Sequence, residues 1–261
     1  MSDKEKNGED KSKEDKNANA EATVRLVGLR PEKVEEELKD LIKGRNPAIS
    51  ISDKDGEVCI KLSAVPEDDK SGKKVLKPVV KEIKSRLGQM IYTTDDTETL
   101  EDSVVRLLKE NGFTVSAAES CTAGLFMGRL ANVPGASDVL KVGFVTYSEK
   151  AKRKFALVKR RTLGKFGAVS SETAAEMSKG VCAAVRSDCA VSITGIAGPD
   201  GGTDKKPVGL VYIGVTIQKK TTVKEFNFTG SRQEIRQRAV TEALALLRIC
   251  LLKRFSEVTF K

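Results

Sequence analysis

The sequence predicts an α/β protein in which helices sandwich a mixed sheet, preceded by a small α+β unit of β-α-β-β-α order. Three observations carry this prediction. Apolar strand-like runs alternate with amphipathic helical stretches over about residues 98–253, the order that produces a helix-covered sheet. Upstream, AISIS and EVCIKLSA alternate apolar and polar residues on either side of DKDG, a hairpin signal. Between the two regions lies the polar, acidic stretch YTTDDTET at 92–99, where the domain boundary is placed.

Residues 1–21 intersperse Lys with Asp and Glu and offer too little apolar surface to offset the entropy of ordering, so they read as a disordered tail. The unit at 22–95 opens with the strand TVRLVGL. A helix follows from Pro31 to Gly44, with proline first and glycine last, then the hairpin, then a second helix from about Lys73 to Leu87. In the domain at 96–261, LEDSVVRLLKENG is an amphipathic helix closed by Gly112, and FTVSAAES is a strand running into a tight turn and a helix. Further strands are expected at 142–147, 189–194, 208–216 and 222–228, and helices at 171–186, capped by Ser170 or Ser171, and at 233–253.

Composition narrows the function. The 261 residues contain no histidine, which removes Ser-His-Asp and Cys-His catalysis and leaves Lys, Tyr, Asp, Glu or a metal-bound water to move protons. Cys59, Cys121, Cys182, Cys189 and Cys250 are widely spaced and form no CxxC, so reduced thiols are expected rather than disulfides or a zinc site. No run of 18 apolar residues occurs and the N-terminus lacks an apolar core, so neither a membrane span nor a signal peptide is expected; the expected compartment is the cytoplasm. The net charge is +9; the first twenty residues carry −1, so the excess belongs to the rest. Lys interspersed with Glu is the usual pattern of solvated helix faces, while a basic surface also suits a phosphorylated substrate or nucleic acid.

The densest chemical signal is TGIAGPDGGTDKKPVG at 194–209, with five glycines between two apolar runs. Such a loop presents backbone to a ligand, and it is equally the composition of a plain turn. Ser120 lies where a strand meets a helix, with Cys121, Thr122, Ala123 and Gly124 after it. The first amides of that helix are suited to stabilising negative charge, but Ser and Thr are also preferred N-caps, so local pattern leaves both readings open. Glu119 reads as a site acid or a polar strand end, and Cys121 as a nucleophile or a packing residue. In VTYSEKAKRK, Tyr147, Lys150 and Lys152 follow a strand; a lysine serves as base only when burial or neighbouring charge lowers its pKa, and a serine nucleophile here has no histidine to call on. Arg232 and Arg236, one helical turn apart, suit either phosphate or solvent.

Taken in order, AESCTAG at 118–124, VPGAS at 133–137, VTYSEKAK at 145–152, GAVSSETAAEM at 167–177 and TGIAGPDGGTDKKPVG resemble the C-terminal domain of the CinA family, which includes the nicotinamide mononucleotide deamidases. Residues 22–95 look like the KH-like domain that precedes it in full-length members. The large N-terminal domain of those proteins, associated with ADP-ribose pyrophosphatase activity, has no counterpart in these residues. The resemblance implies hydrolysis of the carboxamide of nicotinamide mononucleotide to nicotinic acid mononucleotide and ammonia, without metal or cofactor. It implies that Ser120 is the nucleophile, Lys152 the base and Tyr147 a group that relays or orients the proton. Substrate contacts are expected from Glu119, Cys121, Thr122, Gly124, Thr194, Gly195, Ala197, Gly198 and Arg232, the last of these on phosphate. Amides near Cys121 and Thr122 would form the oxyanion hole. The expected partners are this small molecule and further copies of the chain, with neither nucleic acid nor membrane.

The sequence departs from the family pattern at Ala123 and Val142, where glycine is usual, and at Ser231, where aspartate is common. These departures motivate the alternative of a catalytically silent nucleotide-binding module. A nucleic-acid binder is the weaker alternative, because residues 22–90 contain no GXXG loop and no aromatic residue.

Overall fold

The computed structural model describes residues 18–259, so most of the expected charged tail lies outside the described residues. The first unit is built from β1 (Ala20–Val27), α1 (Pro31–Glu37), α2 (Lys39–Ile42), β2 (Ala48–Lys54), β3 (Glu57–Ala64), α3 (Gly72–Leu87) and β4 (Ile91–Thr93). Its antiparallel strands run β2-β3-β1-β4. Val24, Leu26, Ile60 and Leu62 point from alternate positions of β1 and β3 into a core closed by Leu76, Ile83 and Leu87 of α3, the period-2 and helical patterns meeting face to face.

Three expectations for this unit need correction. Strand β1 begins at Ala20, paired with Ala64, inside the stretch read as tail. The helix expected from Pro31 to Gly44 breaks at the fully buried Leu38, whose backbone (φ −107°, ψ 12°) leaves helical geometry. Residues 91–93, partly assigned to the connector, form β4 and pair with β1. Three residues are too few to show alternation.

The second sheet has the order β6-β5-β7-β8-β9, from β5 (Val115–Glu119), β6 (Leu140–Val145), β7 (Cys189–Gly195), β8 (Leu210–Ile217) and β9 (Lys220–Asn227). Strands β6, β5 and β7 are parallel, while β8 and β9 are antiparallel additions, so the sheet is mixed as the sequence predicts. One face is covered by α4 (Leu100–Glu110), α5 (Leu125–Ala131) and α9 (Arg232–Thr259), whose Val104, Leu108, Phe126, Leu130, Leu244 and Leu247 are buried in one cluster with the sheet. The other is covered by α6 (Glu149–Phe155), α7 (Arg160–Phe166) and α8 (Ser171–Val185), where Met177 and Val181 meet Ala118 and Ala190. Caps fix the helix starts. Thr99 and Asp102 form a reciprocal capping box on α4, and Ser170 accepts from Thr173 N on α8.

Two arginines fasten the units together. Arg129 on α5 binds Glu57 of β3 and, at 2.8 Å, Glu101 of α4. Arg248 on α9 donates to the carbonyls of Gln89 at 2.7 Å and Ile91 at 2.9 Å.

Candidate active site

The chain leaves β5 to form β6 on one side, then crosses to form β7 on the other. Open α/β sheets bind ligands beyond the carboxyl ends of the parallel strands where such a reversal occurs. Ser120 is the first residue past β5, and its amide donates to Ile193 O of β7 at 2.9 Å. On the other side, Thr146 N donates to Glu119 O at 2.7 Å, so the end of β6 is fixed to the same point.

Lys152 is brought to Ser120 by a short helix. Ser148 caps α6, accepting from Ala151 N at 3.1 Å, and Lys152 lies one turn in, where helical side chains lean back toward the N-terminus. Its Nζ lies 2.9 Å from Ser120 Oγ, 2.9 Å from Thr146 O and 3.4 Å from Tyr147 O. The residue is 1% exposed, and burial lowers its pKa from the ordinary lysine value. A neutral amine has two N–H donors and one lone pair. The two carbonyls engage the donors, which leaves the lone pair for the Ser120 O–H. After proton transfer the ammonium has three donors, and the same three oxygens accept them. The arrangement therefore suits both protonation states without moving.

The turn after Ser120 differs from the sequence reading. Helix α5 begins only at Leu125, and residues 120–123 form a turn, with Ala123 at φ +52° and Gly124 at φ +96°. Glu119, 1% exposed, accepts from the amides of Gly124 at 2.9 Å, Phe126 at 3.1 Å and Met127 at 3.1 Å. Glu119 therefore caps α5 in place of the substrate contact expected of it, and the helix's first amides are already occupied. Among the described residues, the amide of Thr122 has no protein acceptor, that of Cys121 meets only its own thiol, and the buried Thr122 Oγ1 has no partner. These groups of the turn, not the helix start, are the available anion donors. Burial pushes the Cys121 thiol up to about 11, so it carries no thiolate at neutral pH.

Tyr147 does not sit between Ser120 and Lys152. It is 58% exposed, and its hydroxyl accepts from Arg232 Nη2 at 3.1 Å, so the expected proton relay is replaced by a place on the rim. Arg232 Nη1 donates to Gly198 O at 2.6 Å, joining the tyrosine to the glycine loop. That loop is packed more by protein than by free space. Thr194 is buried and donates to Ala168 O at 2.7 Å, and Ala197 belongs to the apolar core. A Cβ at Gly195 would meet Val211 Cγ2 at 2.6 Å, and one at Gly198 would meet Val208 Cγ1 at 2.6 Å. Thr194 and Ala197 thus have their side chains committed to the protein interior, and the backbone at Gly195 and Gly198 leaves no room for a side chain. Ser231 receives Glu234 N at 3.4 Å while its own amide donates to the Glu234 carboxylate at 2.7 Å, a cap for α9.

Sequence reasoning missed Thr146, whose carbonyl receives the lysine, and Ser148, whose cap sets its helix. The spacing of Ser148 four residues before Lys152 was the available signal. Arg236, read as a phosphate or solvent residue, donates instead to Cys121 O at 2.9 Å and Thr122 O at 3.0 Å. Among the described residues no cluster of His, Cys, Asp or Glu is arranged to hold a metal ion, and no helix is long and apolar enough to cross a membrane.

Comparison with known proteins identifies the family. A family model described as the CinA C-terminal domain matches residues 97–251, and one described as the damage-inducible protein CinA KH domain matches residues 21–93. The chain belongs to the CinA family. It is 45% identical over 233 residues to a putative competence-damage inducible protein of Clostridium novyi, covering 89% of this chain and 56% of that one. A CinA-like protein of Kosmotoga olearia is 44% identical over 230 residues, covering 88% and 56%. The chain thus spans just over half the length of these curated CinA relatives. Among solved structures, a competence/damage inducible protein of Agrobacterium tumefaciens is 42% identical with a TM-score of 0.57, covering 58% of this chain and 93% of that one. A CinA superfamily protein of Escherichia coli is 30% identical with a TM-score of 0.56, covering 62% and 98%.

Proposed function

We propose that this CinA-family chain is an amidohydrolase that converts nicotinamide mononucleotide and water to nicotinic acid mononucleotide and ammonia. The observation that carries the proposal is the buried Lys152 amine 2.9 Å from the Ser120 hydroxyl in a chain without histidine.

Lys152 takes the Ser120 proton as Oγ attacks the carboxamide carbon, and the amides of Cys121 and Thr122 receive the oxyanion. The tetrahedral intermediate collapses as the Lys152 ammonium protonates the leaving nitrogen, giving ammonia and an ester on Ser120. Water, deprotonated by the same amine, then hydrolyses the ester and frees the acid. Tyr147 offers its exposed ring to the pyridinium, a cation that favours an aromatic face, and Arg232 beside it serves the phosphate. Assembly of further copies of the chain is part of the same proposal and is read from its mass in solution.

The test is incubation of the purified protein with nicotinamide mononucleotide in the presence of a chelator, with both products quantified by chromatography. Equal release of ammonia and nicotinic acid mononucleotide is expected, and loss of both in Ser120→Ala. Absence of product from the unaltered protein, or full activity in Ser120→Ala, contradicts it.

A further inference from the structure

We propose that Arg236 is a positioning residue for the anion-stabilising turn, acting through the peptide groups of Cys121 and Thr122. The inference rests on the Ser120–Lys152 reading above.

Arg236 reaches from the second turn of α9 and places Nε–H 2.9 Å from Cys121 O and Nη2–H 3.0 Å from Thr122 O. One planar fork therefore fixes two consecutive peptide planes, a match to guanidinium geometry that a lysine point charge lacks. The carbonyl of Cys121 and the amide of Thr122 belong to one planar trans peptide, so the C=O and N–H bonds point in opposite directions. Holding that oxygen toward α9 turns the Thr122 N–H away from α9. A permanent cation on the carbonyl also polarises the same peptide, which strengthens its N–H as a donor. The second carbonyl belongs to the peptide whose amide, on Ala123, closes the turn on Ser120 O at 3.2 Å.

A second observation points to a ligand at this place. The Thr122 amide has no protein acceptor, the Cys121 amide meets only its own thiol, and Thr122 Oγ1 is buried without a partner among the described residues. Buried donors left open cost free energy, which an arriving oxyanion recovers. Arg236 commits two guanidinium N–H groups to carbonyls of the turn after Ser120, whereas Arg232 engages Gly198 O and the Tyr147 hydroxyl at the rim. The neighbouring arginines thus divide the work: Arg232 serves the substrate and Arg236 the backbone that receives the reacting oxygen.

The test compares the unaltered protein with Arg236→Gln and Arg236→Lys in kcat and KM on nicotinamide mononucleotide. It also compares the rate at which p-nitrophenyl acetate acetylates Ser120, with Ser120→Ala as the blank. Removing one oxyanion donor costs roughly 100- to 1000-fold in rate, so disordering it is expected to lower kcat about 10- to 100-fold in Arg236→Gln with KM within about twofold. Ser120 acetylation is expected to slow in parallel, and Arg236→Lys, which keeps the charge but reaches one carbonyl, to fall between. Should Arg236→Gln fail to fold, Arg236→Lys alone decides, by its kcat deficit at unchanged KM.

A raised KM at unchanged kcat makes Arg236 a substrate ligand and overturns the inference, as does unaltered Ser120 acetylation in both variants. If the unaltered protein leaves nicotinamide mononucleotide intact while Ser120 acetylation still depends on Arg236, the substrate assignment fails and the positioning role stands. No labelling of Ser120 in the unaltered protein overturns both.

Discussion

Lys152 Nζ and Ser120 Oγ lie 2.9 Å apart, 32 residues distant in sequence, on segments that leave the ends of adjacent parallel strands. Burial shifts the amine toward its neutral form, the form that the proposed mechanism requires. The rate constant kcat/KM is expected to rise with pH through the lowered lysine pKa and to level off above it. Lys152→Ala and Lys152→Arg should each lose at least about 100-fold, the usual share of a general base, and with it the rising limb. A limb that persists in Lys152→Ala assigns the base elsewhere.

The same burial has a stability consequence of definite sign. Between the lowered folded pKa and the ordinary unfolded value of about 10.4, the unfolded chain binds more protons at Lys152 than the folded one, so stability rises with pH across that window. Relative to Lys152→Met, which lacks the titration, the unaltered protein should gain melting temperature as pH approaches 10. Parallel curves for the two proteins contradict the buried amine.

Ala123 sits at φ +52°, a left-handed conformation that costs a non-glycine residue roughly 1–2 kcal/mol. Ala123→Gly is expected to stabilise the chain by up to about 1 kcal/mol, the remainder being offset by the freedom glycine adds to the unfolded chain. Thermal or urea unfolding reads the difference, and a destabilised variant refutes the strain.

Glu119 satisfies three buried amides at the start of α5. Glu119→Ala should destabilise by at least about 2 kcal/mol, the usual cost of orphaned buried donors, and lower activity by loosening the adjacent Ser120. Lys152→Ala, by contrast, should lose activity without a comparable loss of melting temperature near neutral pH. Unchanged stability in Glu119→Ala returns the carboxylate to the substrate.

Much of the fold was legible because its signals are local. Pro31, the DKDG turn and Ser170 mark ends that the structure keeps, and the apolar runs of β5, β7 and β8 are too continuous for surface strands. Strand β4 and the break at Leu38 escaped because each depends on a long-range partner rather than a pattern. At the site, the absence of histidine directed attention to a Ser/Lys pair, and the motif order named Ser120 and Lys152. What stayed hidden was orientation. Glu119, Thr194 and Tyr147 are polar residues in site motifs, yet a three-amide cap, the Ala168 carbonyl and a rim arginine engage them. Residue type and spacing do not show which way a side chain turns at a strand end.

The covalent role of Ser120 is tested most directly by acid-quenching the protein during turnover of nicotinamide mononucleotide and mapping its peptides by mass spectrometry. A nicotinoyl mononucleotide ester on the peptide bearing Ser120, absent from Ser120→Ala, is the expected result. Turnover with that acyl group on Cys121, or with the Ser120 peptide unmodified while Ser120→Ala stays active, would contradict it.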